Sequence, residues 1–297
     1  MIEPLVFGIG EIVWDCLPEG RKLGGAPVNF AYYAGLLGAR SYPISAVGSD
    51  SLGSETLAYC RRVGLDTRYI AVNGLPTSRV LVTLDDSGIP KYDILQDVSW
   101  DRLDARPETM EALSRADAVC WGTLAGRSEA SWQAITAMVA ATPASCMRVF
   151  DINLRQHYYS RERIELSLTE ATALKLNEDE LPVLVHLFSL SQDASHALVE
   201  IARRWDIQYV IYTCGAAYSE IYSKDGMLSH IETPKVPVID TVGAGDSFTA
   251  AFVTSLLQEK PVEDAHADAV ALAARVCMNP GAIIDDSGCL LCLKDFN

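Results

Sequence analysis

Short apolar runs rich in β-branched residues alternate with amphipathic stretches along most of this chain, and no other feature restricts its fold as much. A strand followed by a helical stretch and then another strand cannot close as a hairpin. It makes a crossover, and successive crossovers build a largely parallel sheet with helices on both faces. Strands are expected at 5–10, 41–47, 118–122, 148–151, 173–176 and 209–213, and helices at 28–37, 54–63, 131–140, 193–205, 244–257 and 262–277. That order predicts an α/β fold with a doubly wound sheet. The 297 residues, 49% of them hydrophobic, can bury one large core or two smaller ones. No linker, repeat or low-complexity tract interrupts them, so 1–297 is read as one domain.

One stretch breaks the rhythm. Residues 69–72, 79–84 and 91–95 read as strands with no helices between them, joined by turns at Asn73-Gly-Leu-Pro76 and Asp85-Asp-Ser-Gly88. They predict a small β-meander, spanning 68–97, set into the α/β domain. An insertion of this kind covers a cleft, is a mere decoration, or offers its exposed edge to a second copy of the chain, as a homodimer contact.

The charge balance, 24 basic against 39 acidic residues for a net −15, with no run of Lys or Arg, excludes a nucleic-acid surface. The opening Met1-Ile-Glu-Pro4 lacks the basic start of a signal peptide, and no apolar run nears the ~20 residues of a membrane span. A cytoplasmic protein is expected. Eight cysteines spread through expected strands and helices suit buried thiols better than disulfides. Cys289-Leu-Leu-Cys292 alone has ligand-like spacing, without a second pair or a nearby His, and reads as structural. The five histidines show no metal spacing. Gly8-Ile-Gly10 follows the first strand, but Glu11 and then Trp14-Asp15 stand where a dinucleotide fingerprint needs a third glycine opening a helix.

The most informative segment is Asp240-Thr-Val-Gly-Ala-Gly-Asp-Ser-Phe248, which runs straight into an expected helix. Gly243 and Gly245 permit a tight turn whose backbone N–H groups converge on an anion at the positive end of the helix dipole. Asp246, in the first turn, is by itself an ordinary helix-start carboxylate. Beside an anion cradle it is also what phosphoryl transfer to a hydroxyl requires, a base next to the held phosphoryl group.

This segment resembles the C-terminal signature of the ribokinase family, the PfkB sugar kinases. Gly24-Gly-Ala-Pro-Val-Asn29, followed by Ala31, Gly35 and Gly38, resembles the family's N-terminal signature, and the resemblance runs along almost the whole chain. It implies a ribokinase-like fold with a small β lid, and an ATP-dependent sugar kinase. Asp246 would be the catalytic base, with Gly243, Ala244 and Gly245 as anion hole. Asp15, Gly25 and Asn29 would hold the sugar, since a carboxylate accepts from hydroxyls, an amide does both and glycine lets backbone approach.

Lys175-Leu-Asn-Glu-Asp-Glu180 resembles the family's Asn-x-x-Glu motif, which makes Asn177 and Glu180 the pair organising Mg2+ and phosphate through water; an acidic helix start is the alternative. Asp151-Ile-Asn-Leu-Arg155 resembles an element of fructokinase-like and ketodeoxygluconate-kinase-like members, placing Arg155 on substrate or phosphate, against a plain ion pair with Asp151. Thr213-Cys-Gly215 resembles a turn that approaches the nucleotide. Asn279 stands where the family lines the adenine pocket, or it caps its own helix. The resemblance extends to a potassium site, with Asp240, Val242 and Gly281 contributing and Asp285 where relatives carry a small hydroxyl residue.

Ala26-Pro27 inside the glycine signature is common in fructokinase-like members, and Lys91-Tyr-Asp-Ile94 with Val98-Ser-Trp-Asp101 resembles their lid, Tyr92 or Ile94 closing over the sugar. Fructose is the expected sugar; a ribokinase, ketodeoxygluconate kinase or nucleoside kinase is the alternative within the family. A non-catalytic sugar or nucleotide sensor on this fold is the alternative outside enzymes. It would tolerate loss of the base, and Asp246 is present.

Overall fold

The computed structural model describes residues 3–17, 20–84 and 90–284. Asp285, Cys289, Cys292, the turn at 85–88 and the Tyr92 side chain lie outside the described residues.

In chain order, β1 (Leu5–Ile9), β2 (Val13–Leu17), β3 (Gly20–Gly24) and α1 (Ala26–Leu36) precede β4 (Arg40–Gly48), α2 (Ser51–Arg62), β5 (Ile70–Asn73), β6 (Arg79–Leu84) and β7 (Pro90–Ile94). The middle holds α3 (Pro107–Leu113), β8 (Ala118–Gly122), α4 (Glu129–Ala140), β9 (Met147–Asp151), α5 (Arg161–Glu170), β10 (Ala173–Asn177), α6 (Leu181–Phe188) and α7 (Ala194–Arg204). The chain then runs through β11 (Tyr209–Cys214), β12 (Tyr218–Ser223), β13 (Gly226–Glu232), α8 (Ala244–Leu257) and α9 (Val262–Cys277).

The main sheet has nine strands in the order β13-β12-β11-β10-β9-β8-β1-β4-β5. The pairings from β11 to β5 are parallel, and β12 and β13 are added antiparallel at one edge. Successive side chains of a strand point to opposite faces, so β1 sends Phe7 and Ile9 into one core with Trp121 and Phe150, and Val6 into another with Phe30 and Phe252. Helices cover both faces, as a parallel sheet needs.

The small sheet differs from the expected meander. Its order is β3-β2-β6-β7, and β5 is not in it: β5 pairs parallel with β4, Ser45 opposite Ile70 and Gly48 opposite Asn73. A four-residue strand carries no mark of which sheet it joins, because its partner is chosen by tertiary contacts. The two strands that complete the small sheet lie in 13–24; β3 is too polar, Gly20-Arg-Lys, to stand out by apolar alternation. Ile94, expected to close over the sugar, is instead buried in the main core with Trp100.

Two helices position the chemistry. α1 starts at Gly25, with φ near +119°, and lies hard against β1: a Cβ on Gly8 would stand 2.0 Å from the Pro27 carbonyl oxygen. Residues Pro27 to Ala34 of α1 and Ser247 to Ser255 of α8 are buried, and the two helices pack on each other. Their N-termini face the carboxyl ends of the parallel strands, where an open α/β sheet forms its ligand crevice. No described helix is long and apolar enough to cross a membrane.

Candidate active site

Gly243 adopts φ near +81° and caps α8, so that Ala244, Gly245 and Asp246 form its first turn. A Cβ on Gly243 would lie 2.8 Å from Ala282 Cα, and one on Gly245 would lie 3.2 Å from Lys175 Nζ. The turn is thus a cradle that side chains would fill. The first N–H groups of a helix have no partner inside it. Ala244 N–H reaches back to Thr241 O at 3.2 Å, which leaves it less free for an anion than expected.

Asn29, from the second turn of α1, donates from Nδ2 to Asp246 Oδ2 at 2.7 Å across 217 residues of sequence. Burial raises the Asp246 pKa above the usual carboxylate range; the Asn29 hydrogen bond and the positive charges of Lys175 and Arg155 oppose the rise. A carboxylate raised in basicity is suited to take a proton.

Beneath the cradle lies a charged cluster. Lys175 on β10 is buried, with Nζ 3.8 Å from Oδ1 of buried Asp151 at the end of β9. Burial opposes its charge, but Asp151, Glu180 and Asp246 together hold it protonated. The ion pair with Asp151, the alternative role for Arg155, is made by Lys175 instead. Arg155 is exposed and donates to Leu154 O at 3.0 Å. Glu180 is turned to backbone: its Oε1 accepts from Leu154 N–H at 3.0 Å and its Oε2 from Asn177 N–H at 2.9 Å. Asn177 Oδ1 accepts from the N–H groups of Asp179 and Glu180, which shapes the turn into α6.

A cleft of about 540 Å³ opens from this cradle. Lys175, Asn177, Thr213, Gly215, Ala244 and Gly245 line it together with the apolar Val236, Val238, Phe248, Ala273 and Cys277. Asn279 is not among its lining residues; it donates to Arg275 O at 2.8 Å and caps its own helix.

Residues 19–287 match the model of the pfkB family carbohydrate kinases. The chain belongs to that family. Among curated proteins it is 30% identical to a fructokinase of Escherichia coli over 271 residues, covering 84% of each chain. Among solved structures, a fructokinase with bound ATP from Xylella fastidiosa superposes with a TM-score of 0.84 at 19% identity over 98% of both chains. A putative ribokinase II from Escherichia coli gives 0.85 at 21% identity over all of both chains. The PfkB fold and the carbohydrate kinase activity that goes with the family are therefore properties of this chain.

For a PfkB kinase, the residues that sequence reasoning passed over are Lys175 and Glu11. Each is a charged residue inside an apolar run, Ala-Leu-Lys-Leu and Ile-Gly-Glu-Ile-Val, and that interruption was the available signal. Glu11 lies 2% exposed under the glycine turn, with Oε1 accepting from Ala26 N–H at 3.3 Å and Oε2 buried without a hydrogen bond. A Cβ on Gly25 would meet the Glu11 carbonyl oxygen at 2.4 Å. Burial, with the negative charge of Asp246 adding, pushes the Glu11 carboxyl from its ordinary 4.5 up to about 7.

A carboxyl with a raised folded-state pKa contributes stability while protonated and loses it as pH rises through that pKa, here about 7. Glu11→Gln keeps an acceptor for Ala26 and cannot ionise. Between about pH 5 and pH 8 it should lose about 2–3 kcal/mol less stability than the wild type. Urea unfolding at the two pH values measures the difference; equal losses would exclude an ionising Glu11.

Proposed function

We propose that this PfkB kinase transfers the γ-phosphate of ATP to a hydroxyl of fructose, with Asp246 as the base. The observation that carries the reading is the Asn29 to Asp246 hydrogen bond, which joins the glycine turn of α1 to the anion cradle of α8. Asp15, Gly25, Asn29 and Arg155 are assigned to the sugar; Asn29 bonds the base directly, and the Arg155 charge acts on both Asp15 and Asp246. Asn29 fixes the rotamer of the base, and Asp246 accepts the proton of the hydroxyl it faces.

Gly243, Ala244 and Gly245 hold the phosphate at the positive end of α8, and the Lys175 ammonium balances its charge from below. Thr213 and Gly215 border the nucleotide, and the apolar side chains of the cleft receive its base. ATP bound with Mg2+ supplies the phosphoryl group. Both Glu180 oxygens hold backbone N–H groups, and the described residues contain no cluster of three or more metal-ligating side chains, so the ion fits as one carried by phosphate and water. Asn177 and Glu180 then act on it by shaping the loop beside it. The small sheet is assigned to a lid that excludes water.

Fructose is favoured by Ala26-Pro27 in the glycine signature and by likeness to fructokinases. The test is ADP release with Mg2+-ATP over fructose, ribose, 2-keto-3-deoxygluconate and nucleosides. Turnover greatest with fructose is the expected result. Turnover with another sugar would overturn the substrate, and ligand-induced stabilisation without turnover would point to a sensor.

A further inference from the structure

The resemblance to the family implies a potassium ion held by Asp240, Val242 and Gly281, and the groups present around Asp240 do not fit one. Its Oδ1 accepts from Val242 N–H at 3.1 Å, and its Oδ2 from Gly281 N–H at 2.8 Å. Both carboxylate oxygens are thus already engaged by backbone N–H donors. The remaining neighbour of Oδ2 is itself a cation, Lys22 Nζ at 3.1 Å, from 218 residues earlier in the chain.

Lys22 is seated there. Its stem lies over Gly281, where a Cβ would come within 3.1 Å of Lys22 Cδ and the backbone is held at φ near +84°. The ion pair is half-buried, with 33% of the Lys22 side chain and 20% of the Asp240 side chain exposed. Burial raises the Asp240 pKa, but the Val242 and Gly281 N–H groups and Lys22 outweigh it and hold the carboxyl ionised.

We propose that the Lys22 ammonium is the built-in cation of the signature loop, neutralising Asp240 so that the anion cradle of α8 is set without a monovalent metal ion. A tethered ammonium does not depend on salt, since its local concentration is set by the chain. A second cation beside it would be repelled by it. Lys22 sits on β3, so the same contact ties the small sheet to the loop that opens α8. The inference rests on the kinase reading for its rate measurements, not for its melts.

The experiment compares wild type with Lys22→Met, which keeps most of the stem but not the charge, in potassium chloride and in tetramethylammonium chloride at equal ionic strength. Wild type should show the same turnover and the same Tm in both salts. Lys22→Met should lose about 10- to 100-fold in turnover in tetramethylammonium, the cost of a displaced anion-binding backbone, and recover with potassium. Its Tm should rise in potassium alone. Potassium-stimulated turnover or a potassium-specific Tm rise in wild type would overturn the proposal, as would a Lys22→Met protein indifferent to the salt in both readouts. If Lys22→Met does not fold, the wild-type comparison decides. Loss of turnover on every sugar would count against the kinase reading and leave the wild-type melts to test Lys22.

Discussion

Asp246→Asn should fold like the wild type and lose about 10²- to 10⁴-fold in turnover, the range that a positioned general base supplies. The side chain is isosteric, and the Asn29 amide, which now donates to Asp246 Oδ2 at 2.7 Å, can donate equally to an amide oxygen. Stability and nucleotide binding should change little, because the shape and the Asn29 hydrogen bond are kept and Asp151 and Glu180 still neutralise Lys175. In the wild type, the raised pKa of Asp246 adds a pH dependence: as pH falls through it the base becomes protonated, so turnover should decline on the acid side. Steady-state rates with saturating ATP and sugar, beside circular dichroism of both proteins, provide the test. A variant within a few-fold of wild type would remove Asp246 from the mechanism.

Lys175→Met should damage both stability and turnover, and the two losses can be separated. The Lys175 and Asp151 side chains are only 8% and 7% exposed, and their charges lie 3.8 Å apart. Removing one partner of a buried pair costs on the order of 3–5 kcal/mol, because the other charge stays buried without compensation. Glu180 and Asp246 lose the same neutralising charge. The double variant Lys175→Met with Asp151→Asn should recover much of the stability, since neither charge is then stranded. It should not recover turnover, because the cation below Gly245 is still missing. Urea midpoints of the single and double variants and the KM for ATP distinguish the outcomes. A single variant destabilised by less than about 1 kcal/mol would show that the pair is not the buried unit described.

The parallel strands could be read from the chain because a strand buried on both faces is apolar throughout and its crossovers leave amphipathic intervals. The glycine turn ahead of α8 was equally legible, since Gly243 does adopt a positive φ there. Which charged groups meet was not. Asn29 and Asp246 stand 217 residues apart, and only the family resemblance put them near each other; Lys22 and Asp240 are as distant, and no local pattern marks them. The loss of β5 from the meander has the same cause. A strand's own residues state that it pairs, and its partner is settled by the rest of the molecule. Asn279 shows the converse case, where a local preference for capping a helix outweighed the position implied by resemblance.

β3 ends at Gly24 and α1 begins at Ala26, so Gly25 alone separates the small sheet from the helix that carries Asn29. At this crossing the sheet and the aim of the amide are joined by one pair of backbone torsions, while longer links at 10–12 and 74–78 also tie the sheet to the main one. A lid movement of the kind proposed would turn the α1 entrance with it. Substitutions at the outer edges of the small sheet can reshape what reaches the crevice, whereas a side chain at residue 25 would disturb opening and aiming together.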